Sequence, residues 1–534
     1  MSKHRPGLVR RGLLAISVLA AVLAHPALSA ALSSTPQACG NDWSVVPSPN
    51  KGTMDNDLYG AATVSDTDAW AVGTYRDASF RDLTLALHWD GSAWTVIPTP
   101  NVGTHTDFLY DVDASSSTDA WAVGLDNPGA PYKTLIEHWN GSTWSVVPSP
   151  SQTSDAILYG VEALSATDAW AVGYQVNTIG QTLVEHWNGV AWSEVSSPNV
   201  GSDSNVLNAV HAVSPTDIWA VGSYYTTSQR PLTLHWDGSQ WTAVTSPDPG
   251  VQTILNAVAA TSVTDAWAVG LSNGQPYTQH WDGAGWATVA ASPISSGALR
   301  GVAASPSIGV QAIGQEVNDT YALGWTGAKW VAEPIPNPGA SLNLLKAVDA
   351  TGGQVWTVGG YSDGSKLQTL IEESCLTPVS IEGFGPPSGQ VGTGVTITGT
   401  GFEGVSEVTF NGGSAGFRVD SPTQIRAKVP MGATTGPIAV ATSHGSATSL
   451  SDFTVRPKIA GFRPTIGPVG TVVTIGGSAF DGATSVTFNG TAASFTVQSY
   501  SRINATVPLG ATTGPIVVVT PSGQTRSATD FIVT

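Results

Sequence analysis

The sequence predicts an all-β protein: a seven-bladed β-propeller followed by two β-sandwiches. Three observations predict it. The hexapeptide Asp-Ala-Trp-Ala-Val-Gly and its variants recur seven times at intervals of 44 to 51 residues, a length typical of propeller blades. Residues 378–455 repeat in residues 456–534 at a constant offset of 78. Glycine (59) and proline (34) are frequent and only 11% of residues are charged, which favours short strands joined by turns over helices.

The first 31 residues have the layout of a secretory signal peptide. Basic residues between Lys3 and Arg11 precede the apolar run 13–23, and small residues surround Ala30. A membrane anchor is the alternative, but the run is shorter than the ~20 residues that a spanning helix needs. We therefore expect residues 1–31 to be removed and the mature chain to be secreted, either free or associated with the cell surface. Arg10 and Arg11 leave both the Sec and the Tat export routes open.

Charge is distributed unevenly along the chain. Residues 32–377 contain 32 acidic and 9 basic side chains, whereas residues 378–534 contain 7 and 8. A nucleic-acid partner is therefore not expected, because neutralising phosphates requires a basic surface. The acidic part would favour a cationic partner or simply promote solubility. No phosphate-binding loop, zinc-ligand spacing, dinucleotide motif or Ser-His-Asp order is present, so the sequence predicts neither a cofactor nor a metal.

Each repeat reads as four antiparallel strands, a to d, and residues 158–196 illustrate this. Strand a begins at Leu158, strand b at Asp168, strand c at Thr182 and strand d at Trp192. An Asn-Gly or Asp-Gly pair separates strands c and d in five repeats, and these pairs tolerate the positive φ of a tight turn. Each repeat is therefore predicted to be one blade.

All 19 tryptophans follow this repeat. They occupy strand b, the end of strand c or the start of strand d. A sugar-stacking platform is one interpretation, but recurrence at equivalent positions favours packing between blades.

The two ends of the repeat region are predicted to join. The seventh repeat has strands a to c but no strand d, while the chain begins with an unpaired strand d at residues 43–47. Cys39 stands four residues before Trp43, and Cys375 occupies the equivalent turn position of the seventh repeat. A Cys39–Cys375 disulfide would thus replace the missing hairpin, as expected for two cysteines in a secreted chain.

The repeated S-x-T-D-A-W-A-V-G and H-W-[DN]-G-x-x-W motifs resemble those of kelch-like and BNR-like propellers over residues 39–377. This resemblance implies the architecture but no activity, because such propellers include both enzymes and binding proteins. The usual aspartate-box turn of sialidases is absent.

The C-terminal repeats resemble IPT/TIG modules, which are immunoglobulin-like β-sandwiches. Each of residues 378–455 and 456–534 contains V-T-F-N-G, V-P-x-G-A-T-T-G-P-I and D-F-x-V. The resemblance implies spacing, adhesion or a dimer contact and no catalysis; the oligomeric state is left open.

Five repeats carry an aspartate at the start of strand b and a histidine before the strand-c tryptophan. Because both lie at the same rim, we predict a structural hydrogen bond within each blade rather than a metal or acid–base site. The pairs are Asp68 and His88, Asp119 and His138, Asp168 and His186, Asp217 and His235, and Asp265 and His280.

The b–c and d–a loops vary between repeats and share one face, which predicts a binding surface for an extracellular polysaccharide or a protein. Its candidate residues include a slot after the strand-a leucine that would form a mixed ring suited to an anionic glycan or a peptide terminus. The slot residues are Tyr59, Tyr110, Tyr159, Asn208, Asn256, Arg300 and Lys346, and the loops add Arg76, Arg81, Tyr132, Tyr225 and Arg230.

The alternative is a propeller-type glycoside hydrolase or lyase. It would need close-set carboxylates on this face, such as Asp57, Asp107 and Asp155. The absence of catalytic motifs favours a non-catalytic binding or scaffold protein.

Overall fold

The computed structural model describes residues 42–103, 105–150, 154–176, 178–250, 252–289, 293–305, 308–351, 353–375, 377, 379–402, 404–442 and 445–534. Every regular element in these ranges is a β-strand. The prediction of an all-β chain is therefore confirmed.

Between residues 44 and 375, the described strands form seven four-stranded antiparallel sheets. Strand β1 (Ser44–Val45) precedes the first complete blade. The strands of each blade are given in the order a to d. Blade one consists of β2 (Asn56–Ser65), β3 (Asp68–Arg76), β4 (Asp82–Trp89) and β5 (Trp94–Ile97), and blade two of β6 (Thr106–Ser116), β7 (Asp119–Asn127), β8 (Lys133–Trp139) and β9 (Trp144–Val146). Blade three consists of β10 (Ala156–Ser165), β11 (Asp168–Val176), β12 (Gly180–Trp187) and β13 (Trp192–Glu194), and blade four of β14 (Ser204–Ser214), β15 (Asp217–Tyr225), β16 (Gln229–Trp236) and β17 (Trp241–Val244).

Blade seven takes its outer strand from the beginning of the chain. Blade five consists of β18 (Thr253–Ser262), β19 (Asp265–Ser272), β20 (Gln275–Trp281) and β21 (Trp286–Thr288), and blade six of β22 (Ala298–Ser305), β23 (Gly309–Glu316), β24 (Asp319–Trp325) and β25 (Trp330–Glu333). Blade seven consists of β26 (Asn343–Thr351), β27 (Gln354–Ser362), β28 (Leu367–Cys375) and β1. Ser44 lies opposite Glu373, and Val45 lies opposite Glu372. Strand a of each blade contacts strand a of the next, and β26 contacts β2. The sheets thus close into a propeller-like ring whose axis is lined by strand a.

One rim of the ring is built from turns that recur in most blades. In blade one, the Asp90 carboxylate accepts the backbone N–H groups of Ser92 and Ala93 at 2.9 Å, and Gly91 has a φ of 86°. A Cβ on Gly91 would lie 2.9 Å from the Thr67 side chain in the a–b turn, so only glycine fits there. The Trp89 indole also donates to the Asp66 carbonyl at 3.2 Å. These contacts explain the recurrence of both turn motifs.

Tryptophan clusters join the blades. At the first boundary, Trp70 of blade one lies 4.9 Å from Trp139 and 5.1 Å from Trp144 of blade two, the latter at an interplanar angle of 85°. The Nε1 atoms of Trp70 and Trp144 are buried with no hydrogen-bond partner among the described residues, and the perpendicular packing offers ring faces to such N–H groups. Equivalent clusters are 121/187/192, 170/236/241, 219/281/286, 267/325/330 and 356/89/94.

At the boundary between blades six and seven, a hydrogen-bonded group replaces the tryptophan cluster. Gln311 replaces the strand-b tryptophan, and its amide contacts the Glu333 carboxylate. That carboxylate also accepts the Trp43 indole N–H at 3.0 Å. A hydrogen-bonded group therefore stands where the other boundaries pack aromatic rings.

The C-terminal residues form two β-sandwiches with the same topology. In each, a four-stranded sheet faces a five-stranded one, and phenylalanines fill the space between them: Phe402, Phe410 and Phe453 in the first and Phe480, Phe488 and Phe531 in the second are almost fully buried. The first sandwich comprises β29 (Ser380–Gly385), β30 (Ser388–Gly389), β31 (Gly394–Thr400), β32 (Val405–Phe410), β33 (Gly413–Ser414), β34 (Phe417–Ser421), β35 (Gln424–Lys428), β36 (Gly436–Thr442) and β37 (Gly445–Val455). The second comprises β38 (Lys458–Arg463), β39 (Ile466–Gly467), β40 (Val472–Ser478), β41 (Ser485–Phe488), β42 (Thr491–Ala492), β43 (Phe495–Ser499), β44 (Arg502–Thr506), β45 (Gly514–Thr520) and β46 (Gly523–Val533).

Candidate functional site

A β-bulge interrupts strand a of every described blade just after its buried leucine. In blade one, Leu58 lies opposite Gly73 and Gly60 lies opposite Val72, so Tyr59 is the extra residue. A bulge leaves one residue unpaired and changes the direction of its side chain. The residues at the bulge are those of the predicted slot, namely Tyr59, Tyr110, Tyr159, Asn208, Asn256, Arg300 and Lys346. All seven are half-buried, and we call them the bulge ring.

Blades one to three give the bulge ring an aromatic arc. Tyr59 and Tyr110 pack edge to face with their ring centroids 5.6 Å apart, and Tyr110 lies 5.3 Å from Tyr159. Phe108 stacks parallel to Tyr110 at 5.8 Å, and Tyr174 stacks parallel to Tyr159 at 6.0 Å. These contacts hold the rings in fixed orientations, as a stacking surface for a ligand requires.

Three of the other bulge-ring residues contact the neighbouring blade. The Asn208 and Asn256 amides each donate to the carbonyl of the next blade's leucine, Leu255 or Leu299, at 2.7 Å. The Lys346 ammonium pairs with the Asp57 carboxylate and lies 3.6 Å from the Tyr59 ring centroid. Contacts between blades therefore already engage the amides of Asn208 and Asn256 and the ammonium of Lys346, and their role in a mixed binding ring stays a prediction.

The loop arginines are paired as well. Arg76 contacts Asp82 at 2.8 Å and Asp55 at 3.2 Å, and Arg81 contacts Asp77 at 2.8 Å. Arg230 pairs with Asp248. The expectation of a cationic surface for an anionic ligand is thus not supported, since these positive charges are neutralised within the loops. Tyr225, at the end of β15, is 38% exposed, whereas Tyr132 is half-buried just before β8.

The three carboxylates considered for catalysis are each engaged or buried within the fold. Asp57 pairs with Lys346, and Asp155 accepts the backbone N–H of Tyr132 at 2.8 Å. Asp107 is 1% exposed, and burial together with the nearby Asp126 raises its pKa to about 7. The described contacts therefore tie these groups to the fold.

The aspartate–histidine pairs lie at the opposite rim, and each makes the expected contact. The distance from His Nε2 to Asp Oδ1 is 2.7 or 2.8 Å in blades one to five. Each imidazole also packs on the strand-b tryptophan of its own blade; His88 and Trp70, for example, have centroids 4.4 Å apart. The histidine thus links the rim to the tryptophan cluster, which is a structural role.

A set of polar residues on strand a, below the bulge ring, was not predicted from the sequence. The Asp113 carboxylate accepts the backbone N–H of Ala163 at 2.7 Å, and Asp349 likewise accepts that of Thr63 at 2.6 Å. The Asp111 carboxylate accepts the backbone N–H of Val161 at 3.0 Å, and the His211 imidazole donates from Nε2 to the Ala260 carbonyl at 3.1 Å. These side chains form hydrogen bonds with backbone groups at the unpaired edge of the next blade's innermost strand. Their signal in the sequence was a polar residue where other blades have alanine or glycine.

The predicted disulfide and signal peptide lie wholly or partly outside the described residues. Cys375 ends β28, but Cys39 and the signal peptide lie outside the described residues, so the disulfide stays a prediction. Within the described ranges, no group of three or more His, Cys, Asp or Glu side chains is arranged to hold a metal ion. No helix there has the length and apolar character needed to cross a bilayer.

Comparison with known proteins identifies the C-terminal modules. The IPT/TIG domain family model matches residues 378–455 and 457–533. No curated protein matches the chain. Among solved structures, YCF48 from Cyanidioschyzon merolae is 15% identical, with 62% of this chain and 98% of that chain covered and a TM-score of 0.42.

A second solved structure, SGBP-B from a complex xyloglucan utilization locus in Bacteroides uniformis, is 20% identical over 29% of this chain and 49% of that one, with a TM-score of 0.16. Such low scores carry no functional argument. The family match does agree with the two sandwiches described above, and residues 378–533 therefore contain two IPT/TIG domains.

Proposed function

We propose that this chain is a secreted, non-catalytic binding protein that recognises an extracellular polysaccharide at the bulge ring, with the IPT/TIG pair as a spacer. The observation that carries the proposal is the aromatic arc. Tyr59, Tyr110 and Tyr159 come from equivalent bulges of three consecutive blades and contact one another in series. Their partly exposed rings offer apolar surface on which sugar rings can stack.

Charge supports a neutral ligand over an anionic one. Lys346, Arg76 and Arg81 are all paired with carboxylates. The tyrosines add no charge, because burial and the nearby Asp57 raise the pKa of Tyr59 well above its ordinary value. A neutral polysaccharide would therefore lose no charge solvation on binding.

Binding is favoured over turnover because Asp57, Asp107 and Asp155 are engaged by the fold. A retaining or inverting glycosidase needs two carboxyl groups that both reach the substrate. Asp107 is nearly inaccessible, and the other two hold Lys346 and the Tyr132 backbone.

The test is a glycan array followed by calorimetry, with a turnover assay on every glycan that binds. Tyr110→Ala should weaken binding by about tenfold, since removing an aromatic side chain from a stacked ring costs roughly 1–3 kcal/mol in the case of nucleobases. Val190→Ala is the matched control, because Val190 is 83% exposed in a turn of the opposite rim.

Three results would contradict the proposal. Hydrolysis that is lost in Asp107→Asn or Asp155→Asn would identify an enzyme. Binding to proteins but to no glycan would change the ligand class, and binding unaffected by both Tyr110→Ala and Tyr159→Ala would move recognition away from the arc.

A further inference from the structure

One buried side chain on strand a holds the preceding loop in place in several blades. Two residues before the buried leucine, blades one, four and seven have an asparagine that is at most 1% exposed, namely Asn56, Asn205 and Asn343. Asn56 Oδ1 accepts the Lys51 backbone N–H at 2.7 Å, and its Nδ2 donates to the Met54 carbonyl at 2.8 Å. The other two asparagines likewise accept an N–H from their loop and donate to a carbonyl of it. The position therefore needs one acceptor and one donor, which an amide supplies.

Blade two has a carboxylate at this position. Asp107 is also 1% exposed, and its Oδ2 takes the acceptor role, receiving the Val102 backbone N–H at 2.8 Å. The loop turns in the same way as in blade one, because Gly52 and Gly103 have φ of 76° and 77°. Asp107 Oδ1 thus stands in place of the donating amide nitrogen, and it is buried with no hydrogen-bond partner among the described residues. A buried acceptor in this state is costly unless a proton or a cation satisfies it.

The residue opposite Asp107 on strand b is a second aspartate. The register pairs Asp107 with Asp126, whereas each of the three asparagines lies opposite a tyrosine, namely Tyr75, Tyr224 or Tyr361. Asp126 is 9% exposed, and its Oδ1 is also buried without a partner in the described part of the chain. Its carboxylate lies within hydrogen-bonding distance of that of Asp107. Two buried carboxylates at this distance repel each other unless a positive charge lies between them.

The loop adds access and a further oxygen atom to this pair. Gly103 is exposed, and a Cβ on it would lie 3.7 Å from Asp126 Oδ1, so no side chain of this loop residue blocks the way to the carboxylate. In blade one the amide faces the Met54 carbonyl, and the equivalent carbonyl of blade two is that of His105. Asp107 Oδ1 is thus expected to face a carbonyl oxygen as well as Asp126. Carboxylate and carbonyl oxygens without a donor are the surroundings that a hard cation prefers.

We propose that Asp107 and Asp126 bind a Ca²⁺ ion between their carboxylates. Ca²⁺ takes about six to eight oxygen ligands and accepts carboxylates, backbone carbonyls and water in one site, so two acidic side chains suffice. Mg²⁺ fits less well, because it demands a near-octahedral shell and gives up its water reluctantly. The Arg81 guanidinium lies near Asp107 but is paired with Asp77, so its charge is already balanced.

Two further observations support a cation here. Residues 32–377 contain 32 acidic against 9 basic side chains, which raises the local concentration of cations. Burial and the neighbouring Asp126 raise the pKa of Asp107 to about 7, as expected of two carboxyl groups that compete for one positive charge. The ion would fix strand a directly before the aromatic arc, because Phe108 follows Asp107 and stacks on Tyr110. The inference does not depend on the proposed glycan ligand.

Titration calorimetry with CaCl₂, on the full secreted chain after removal of metal by a chelator, tests the site. The wild-type protein should bind Ca²⁺ with a dissociation constant of about 1 mM or lower, as extracellular calcium modules do. Addition of about 10 mM CaCl₂ should raise the melting temperature by about 2 °C or more. Asp107→Asn should weaken binding by about tenfold or more and abolish the thermal shift. This variant has the asparagine found in blades one, four and seven, so it should fold and, without calcium, melt no lower than the wild-type protein.

A second variant and a matched control complete the test. Asp126→Asn should lose calcium binding in the same way, because only one of the two carboxylates remains. Asp203→Asn is the control, because Asp203 is exposed in the equivalent loop of blade four and its replacement removes the same charge. It should leave calcium binding unchanged.

Three results would overturn the proposal. The absence of both calcium binding and a thermal shift in the wild-type protein would show that the two carboxyl groups share a proton instead. An equal thermal shift from NaCl at the same ionic strength would indicate general screening of the acidic propeller. An equal response of the wild-type protein and Asp107→Asn would place the ion elsewhere.

Discussion

The Lys346 ammonium of blade seven lies 3.6 Å from the centroid of the Tyr59 ring of blade one and pairs with Asp57 beside it. This contact spans the boundary between blade seven and blade one. It also neutralises the cation of the bulge ring that lies next to the aromatic arc, so the recognition proposed there would depend on stacking rather than on charge.

Ligand binding should therefore depend little on salt. Between about 50 and 500 mM NaCl we expect the dissociation constant to change less than about threefold, because screening weakens only charged contacts. Calorimetry at the two salt concentrations measures this. A loss of about tenfold or more would indicate an anionic ligand and would contradict the neutral polysaccharide.

The closing seam should be the least stable blade boundary. Six boundaries have a tryptophan cluster, whereas the one between blades six and seven has Gln311, Glu333 and Trp43. Among the described residues, strand β1 is short and pairs Ser44 and Val45 with β28. Backbone amides of β28 should exchange faster than those of β4, the equivalent strand of blade one. Hydrogen exchange with mass spectrometry compares them, and equal protection would contradict the expectation.

The predicted Cys39–Cys375 disulfide should reinforce that seam. Alkylation of the secreted protein should label no cysteine before reduction and both afterwards. In the chain-entropy model, closing so long a loop stabilises a protein by about 5 kcal/mol, so Cys375→Ala should markedly lower the melting temperature and accelerate exchange in β28. Two free thiols in the native protein would exclude the bond.

Some of the fold could be predicted because it repeats. The strand order, the seam and the contact between Asp68 and His88 all follow from equivalent positions recurring in successive blades. The pairing of Lys346 with Asp57 could not be predicted in this way, because its partners are 289 residues apart and meet only where blade seven contacts blade one.

The bulges explain why the contacts of Asp111 and Asp113 could not be predicted from the sequence. An extra residue in strand a reverses the alternation of faces beyond it. A simple period of two therefore assigns Asp111 and Asp113 to the wrong face of the strand. Their hydrogen bonds to the next blade follow only from the strand register, which includes the bulge.

Buried carboxyl groups should make the protein more stable in mild acid than in mild base. Glu137 is fully buried, and neither of its oxygens has a hydrogen-bond partner among the described residues. Burial raises its pKa well above the ordinary value, and the nearby Asp107 adds to the effect. Burial also raises the pKa of Asp349 to about 7 and those of Asp111 and Glu372 to about 8.

The sign follows from proton linkage. Above about pH 4 the unfolded chain loses these protons while the folded chain keeps them, so the free energy of unfolding falls as the pH rises toward about 8. The melting temperature should be higher at pH 5 than at pH 8, and Glu137→Gln should reduce the difference by raising stability at pH 8. Asp90→Asn is the control, because hydrogen bonds from Ser92 and Ala93 lower the Asp90 pKa to about 2. Asp90 is thus charged throughout this range, and its replacement should leave the pH dependence unchanged. A melting temperature that rises from pH 5 to pH 8, or a Glu137→Gln variant with the wild-type dependence, would show that these carboxyl groups are ionised in the folded protein.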